Sequence, residues 1–258
     1  MASELGRLTA VTWLAFRGSL QGFRLAGLAA LAVAPALIVL ALVSAHPAAS
    51  TLADSAEDLY SLLTLPIVTM LIVLVLSVGQ FRNEIDSETL LYLSDRSVAR
   101  PTIVVGKYLG ALGASLVLVV PATLLPLAVA TLGGGTPYAA NVPVVLTLAI
   151  VLAAMAYAGF FLFLGLVTRS ALLVGLLFGF VWEEILRLLP GEVPRLTVVY
   201  YLHAFLSWAL TTGPLSGFPT VVPLALVVAT PILVAVAFVA TAAMIFRYLE
   251  TAPERETA

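Results

Sequence analysis

The sequence predicts an all-α, polytopic integral membrane protein. Hydrophobic residues make up 62% of the chain and charged residues only 10%, against roughly 25% charged in an average soluble domain. The mean hydropathy is +1.12. From 108 to 168, 61 residues pass without one Asp, Glu, Lys or Arg, whereas eight charges fall within 82–107. Charge is kept out of the apolar segments and gathered in loops, as expected of a chain that crosses lipid.

Six apolar segments are long enough to be membrane spans, because about 20 residues rising 1.5 Å each cross a hydrocarbon core of roughly 30 Å. The predicted spans are 25–45, 59–81, 103–132, 142–167, 170–189 and 221–246. A glycine-rich turn at 133–137 separates the third span from the fourth, and Arg169 separates the fourth from the fifth. We therefore expect one transmembrane domain that covers 1–258.

The distribution of basic residues predicts the orientation. Ten of the twelve Lys and Arg residues fall on one side of the predicted spans, and only Arg187 and Arg195 fall on the other. The positive-inside rule then places both termini in the cytoplasm of a multi-pass cell-membrane protein, with 247–258 as a cytoplasmic tail. The chain has no cysteine, which excludes disulfides and leaves the redox compartment open.

The segment 1–24 precedes the first span and has helical periodicity. At 100° per residue, Leu8, Thr12 and Phe16 share one arc, and Arg17 and Arg24 lie roughly opposite. The pattern predicts an amphipathic helix in the cytoplasmic membrane surface. Two roles stay open: an anchor that only orients the first span, or a direct contact with a partner.

An outer re-entrant or surface-lying segment is predicted at 190–220. Its central apolar run, 196–210, is too short to cross the bilayer easily, and Tyr200, Tyr201 and Trp208 are aromatics typical of an interface. The alternative is a seventh crossing, which would place the C-terminus outside.

The charged segment 82–102 is predicted to be a structured elbow, because Pro101 suits the first turn of the helix that starts the third span. The informative residues are Glu84, Thr89-Leu90-Leu91-Tyr92-Leu93, Arg96, Val98, Arg100 and Gly106-Lys107. This pattern resembles the second cytoplasmic segment of permeases of ATP-binding-cassette (ABC) exporters of the type-2 class. Glu88 and Ser97 depart from it, since the family often has Gly and usually has Pro at these positions.

The resemblance implies a permease subunit whose elbow docks on a separate cytoplasmic ATP-binding subunit. It also implies a second permease chain, identical or related, and export of a substrate by alternating access. The residues implied in ATPase coupling are Glu84, Thr89, Leu90, Arg100 and Lys107. ATP and Mg²⁺ would bind the partner, and no cofactor would bind this chain. The alternative is that these charges only solvate a loop and obey the positive-inside rule.

Enzymatic activity of the chain itself is not expected. Gly106-Lys107 is a fragment of a phosphate loop, but the earlier glycine would fall at Pro101, and Tyr108 replaces the Ser or Thr needed for Mg²⁺. The sequence has no basic patch of the kind that would predict binding of nucleic acid. The functional alternative to the permease is an ATP-independent secondary transporter or channel, and the sequence does not select the substrate.

The fifth span contains a charged cluster, Glu183, Glu184 and Arg187, which we expect in the outer third of the bilayer. Pairing of Glu183 with Arg187 plus snorkelling is one interpretation; a substrate path or outer gate is the other. The paired Glu also resembles intramembrane proteases of the CAAX type. That family has three residues between the Glu pair and Arg, not two, and further histidine motifs, so we predict no catalytic zinc or other metal site.

Overall fold

The computed structural model describes residues 4–45, 48–86, 99–134, 138–187, 189–210, 214–217 and 222–248. These residues form helices joined by short connections, and no strand occurs among them. The predicted all-α class is confirmed. In chain order the helices are α1 (Glu4–Ser19), α2 (Phe23–Ser44), α3 (Ala49–Leu59, Tyr60–Val68 in π-helical form, then Thr69–Asp86), α4 (Arg100–Leu132), α5 (Asn141–Val167), α6 (Ala171–Leu177, continued by π-helical Phe178–Ile185), α7 (Val198–Ala209) and α8 (Leu224–Tyr248).

Within the described residues, five helices are long and apolar enough to cross a membrane. They span Phe23–Ser44, Thr51–Arg82, Arg100–Leu132, Asn141–Val167 and Leu224–Arg247. The chain is thus a membrane-spanning protein with the predicted first, second, third, fourth and sixth spans. The predicted fifth span, 170–189, is a shorter helix that ends near Leu186, ahead of Pro190 and of Gly191 at φ 83°. Its length of roughly 25 Å falls below the roughly 30 Å of a hydrocarbon core.

Helix α3 begins ten residues before the predicted second span. The acidic residues Asp54, Glu57 and Asp58, which the sequence places in a loop, lie inside its first segment, Ala49–Leu59. Pro66 then lies in the π-helical segment, where it removes one backbone N–H. The carbonyl of Thr64 is satisfied by both the backbone N–H and the hydroxyl of Thr69. Such local adjustment is how membrane helices accommodate proline.

Helix α5 lies at the centre of the bundle and packs against α3 and α8. Two glycines allow these helices to approach closely. A Cβ at Gly165 would lie 2.8 Å from the Val78 carbonyl, and one at Gly159 would lie 2.9 Å from the Ala235 carbonyl. Tyr157 and other fully buried side chains fill the core beside these contacts.

Two sets of hydrogen bonds define the ends of the bundle. At one end, which we call the basic face, Arg100 Nη1 donates to the Arg247 carbonyl at 2.8 Å, so α4 begins where α8 ends. At the opposite end, the far face, Tyr138 Oη donates to the Ala53 carbonyl at 3.0 Å. Burial, with the carboxylates of Glu57 and Asp54, raises the pKa of Tyr138 to about 12, so its hydroxyl stays a donor.

The return of α8 to the basic face excludes a seventh crossing by 196–210. That run contains α7, of 12 residues, whose first residues contact the buried Glu183. The following turn, Pro214–Gly217, packs against α7 and against the start of α3 at the far face. Helix α7 therefore runs from inside the bundle toward the far face, as a shorter apolar helix beside the five long ones.

Candidate functional site

Helix α1 packs closely against the first half of α4 at positions where α4 has glycines. A Cβ at Gly106 would lie 2.7 Å from a methyl group of Val11, and a Cβ at Gly110 would lie 2.5 Å from Ala15 Cβ. The backbone of Phe16 is 2.8 Å from the same point at Gly110. Any larger residue would push α1 outward, so the sequence of α4 fixes where the amphipathic helix lies.

Lys107 lies next to this contact, on the side of α4 that faces α3, and only 4% of it is exposed. Its Nζ donates to the Gln80 carbonyl at 2.6 Å and lies 2.5 Å from Glu84 Oε1. The same ammonium lies 4.8 Å from the centre of the Phe81 ring, a cation–π distance. These three contacts compensate for the loss of hydration that a buried charge suffers.

Hydrogen bonds connect the end of α3, where Lys107 and Glu84 pair, to helix α1. Gln80 Nε2 donates to Ser19 Oγ at 2.5 Å, and that hydroxyl donates to the Ala15 carbonyl at 2.8 Å. The last turn of α1 is thereby linked to the end of α3, and Lys107 links α3 to α4. Helices α1, α3 and α4 therefore meet at the end of α3.

The predicted coupling residues divide into three groups. Glu84 is at the end of α3 with 28% of its side chain exposed, and Arg100 starts α4 and is partly exposed. Lys107 is buried, so it holds Glu84 in place and does not itself face outward. Thr89 and Leu90 lie outside the described residues.

A second polar cluster lies in the interior, around Glu183. Only 2% of Glu183 is exposed. Its two carboxylate oxygens accept from the backbone N–H groups of Val198 and Val199, both at 3.1 Å. The next N–H, that of Tyr200, is accepted by the hydroxyl of Thr197. A carboxylate from α6 thus caps the positive end of α7, the position where a helix favours an anion.

The pairing of Arg187 differs from the prediction. Arg187 forms its ion pair with Glu184, three residues before it, and not with Glu183. The distance from Arg187 Nη2 to Glu184 Oε2 is 2.8 Å. Glu183 is also deeper than the predicted outer third. The Glu183 carboxylate lies beside the hydroxyl of Tyr157. Tyr157 is ten residues before Val167, the last residue of α5, which corresponds to a depth of about 15 Å along the helix from that end.

Polar atoms near Glu183 lack good partners. The Tyr157 hydroxyl lies beside the Glu183 carboxylate without a well-formed hydrogen bond, and Glu184 Oε1 and Arg187 Nε are buried without one. His203 Nδ1 lies 3.1 Å from the Val199 carbonyl. Among the described residues, no three His, Cys, Asp or Glu side chains are grouped to hold a metal ion.

Several residues of these clusters were not predicted from the sequence. Gln80 and Ser19 carry the polar link between helices, and Tyr157 contacts the interior carboxylate. Gln80 could have been found, since it is an amide within an otherwise apolar span. Nothing in the local sequence of Tyr157 distinguishes it from an ordinary core aromatic.

The fold and these clusters define an all-α membrane protein with one polar cluster at its basic face and one in its interior. No protein-family model matches the chain, and a search of curated proteins finds no significant match.

Proposed function

We propose that this chain is the membrane-spanning permease subunit of an ABC transporter of the type-2 exporter class. It works with a separate cytoplasmic ATP-binding subunit and a second permease chain, and the basic face lies toward the cytoplasm of a cell membrane. The sequence resemblance supplies the class. The arrangement around the charged segment supplies the physical support.

One observation carries the proposal: both ends of the charged segment are fixed to the bundle. At the α3 end, Glu84 is held by the buried Lys107 of α4. At the α4 end, Arg100 is held by the Arg247 carbonyl of α8. A force on the segment between 86 and 100 would therefore reach α3, α4 and α8 together.

That connection is what ATP-driven transport requires. The partner must exert force on a segment whose two ends are joined to the spans, so that a displacement there moves the spans with it. Docking of helix α1 on α4 adds the amphipathic helix to the moving group. In this scheme Glu84, Thr89, Leu90 and Arg100 contact the ATP-binding subunit, while Lys107 positions Glu84. ATP and Mg²⁺ stay on the partner.

Cross-linking tests the partner directly, because the chain lacks cysteine. Thr89→Cys and Leu90→Cys, each carrying a benzophenone, should cross-link in native membranes to a protein that contains a phosphate loop. The matched control is Ser44→Cys, at the far-face end of α2, which should not. Absence of this product from both elbow positions, or an equal yield from Ser44→Cys, would contradict the proposal.

The interior cluster favours a second candidate, an ATP-independent secondary transporter or channel. Ionisable residues within a bundle mark substrate or ion pathways, and Glu183, Glu184 and Arg187 lie together there. The two candidates separate in vesicles that contain only this chain. Substrate or ion flux without ATP, lost in Glu183→Gln, would support the second candidate.

A further inference from the structure

The buried carboxylate of Glu183 on α6 holds the start of α7. Only 2% of Glu183 is exposed, and its two oxygens accept from the N–H groups of Val198 and Val199. In the part of the chain that the structure describes, no basic side chain forms an ion pair with Glu183, and Arg187 pairs with Glu184 instead. The N-terminus of α7 is therefore the main group that stabilises the charge of Glu183.

This dependence gives Glu183 two chemical states that follow the position of α7. While α7 is docked, both carboxylate oxygens have N–H donors, and the ionised form is favoured. If the start of α7 moved away, the carboxylate would stay between α5 and α6 without these donors. A buried carboxyl group in that situation binds a proton, because a buried charge without partners is costly.

Tyr157 of α5 provides a partner for either state. Only 1% of Tyr157 is exposed, and its hydroxyl lies beside the Glu183 carboxylate without a well-formed hydrogen bond. A tyrosine hydroxyl can donate to a carboxylate, and it can also accept from the O–H of a protonated carboxyl group. The neutral form of Glu183 thus has an acceptor already in place, which α7 does not supply.

We propose that Glu183 is a proton-binding site whose affinity is set by the docking of α7, so that uptake of a proton releases the start of this helix. A hydronium ion gives up the proton, one O–H bond forms on Glu183, and water is left. The titratable and charged groups around the site are Tyr157 of α5, Glu184 and Arg187 of α6, and His203 of α7. The stabilisation of docked α7 by Glu183 is present at high pH and lost as the pH falls. This proposal does not rest on the ABC assignment.

Infrared spectroscopy of the full chain in detergent, over a pH titration, tests the proton site. The carboxyl band that is absent from Glu183→Gln belongs to Glu183. Val198→Pro removes one N–H donor at the first position of α7, where proline is well accommodated, and Thr197 before it is already extended. This variant should raise the proton affinity of Glu183 by about tenfold, or about one pH unit. Val198→Ala, which keeps the N–H, should not. Equal titrations of the two variants, or no Glu183 band while the chain is folded, would overturn the proposal.

Hydrogen–deuterium exchange measures the docking of α7 separately. Protection factors, which correct for the intrinsic pH dependence of exchange, should fall by about tenfold or more at the start of α7 as the pH is lowered. Glu183→Gln, which cannot carry the charge, should show low protection at every pH, and His203→Asn should keep the wild-type pH dependence. Protection that is independent of pH in the wild type, or a pH dependence that survives in Glu183→Gln or disappears in His203→Asn, would contradict the link between Glu183 and α7.

Discussion

Lys107 Nζ lies 2.5 Å from Glu84 Oε1 and 2.6 Å from the Gln80 carbonyl, so one buried ammonium joins the end of α3 to α4. Lys107 is the chain's only lysine. Its position explains why a charge occurs within a long apolar helix. The charge makes contacts inside the protein, where it holds Glu84 and the Gln80 carbonyl at the end of α3.

Replacement of Lys107 by Met should destabilise the fold by about 1.5 to 3 kcal/mol, because it removes the charged hydrogen-bond donor of the Glu84 carboxylate and the Gln80 carbonyl. Thermal unfolding in detergent, followed by tryptophan fluorescence, measures the change. Arg195→Met is the control, since Arg195 belongs to an exposed pair with Glu192 and its loss should not move the transition. Equal midpoints for the two variants would show that the Lys107 pair has no structural role.

Burial of Lys107 also predicts resistance to amine-reactive reagents. In the folded protein, a succinimidyl ester should acylate the N-terminal amine and leave Lys107 unmodified, as read by peptide mass spectrometry. Unfolding should expose Lys107. Glu84→Gln should speed its acylation in the folded protein, because the paired charge is lost. Rapid acylation of Lys107 in the native wild type would contradict the burial.

Close packing of α1 on α4 predicts that a larger side chain at Gly110 is poorly tolerated. Gly110→Leu should cost about 1 to 3 kcal/mol, the usual penalty of overpacking, because Ala15 and the backbone of Phe16 occupy the space. Gly27→Leu, on an open surface of α2, should be neutral or stabilising, since leucine favours helix over glycine. If both variants unfold at the same temperature, α1 is not seated as described.

Capping of α7 by Glu183 predicts a large effect of removing this carboxylate. Glu183→Ala removes the acceptor of the buried Val199 N–H, at about 1 to 3 kcal/mol, and that of the partly buried Val198 N–H, and should destabilise the protein clearly. Protease cleavage within 189–210 should also increase, because the start of α7 loses its anchor. Glu192→Ala, which removes an exposed carboxylate near α7, is the matched control. Wild-type resistance of Glu183→Ala to cleavage would contradict the capping role.

Orientation can be read from single cysteines and a membrane-impermeant maleimide. Ser44→Cys should be labelled in intact cells, because the far face lies outside in the proposed orientation. Thr89→Cys should be labelled only after permeabilisation, because the elbow is cytoplasmic. The reverse pattern would invert the proposed orientation and remove the elbow from any cytoplasmic ATPase.

Sequence reasoning located most of the fold, since long apolar segments have few structures available to them in a membrane. It failed at the start of α3 because Asp54 and Glu57 lower the local hydropathy, although Glu57 is buried in the packed bundle, with only 7% of it exposed. It offered an ion pair between Glu183 and Arg187 on helical spacing alone. The true partners, Val198 and Val199, follow a chain reversal, and no local pattern predicts a contact across it.

The basic-face cluster shows the same limit. The resemblance drew attention to Glu84 and Lys107 separately, whereas their direct contact depends on how α3 and α4 pack. The position of α1 depends on the same packing, because Gly106 and Gly110 of α4 set where it lies. Periodicity identifies an amphipathic helix but does not say which helix it rests on.

Pull-down of the tagged chain from membranes of its native host in mild detergent, with mass spectrometry of the co-purified proteins, tests the proposed function most directly. The permease proposal predicts a stoichiometric ATP-binding subunit, with MgATP hydrolysis by the complex and none by the chain alone. Recovery of the chain by itself, under conditions that keep a known ABC transporter intact, would contradict the proposal.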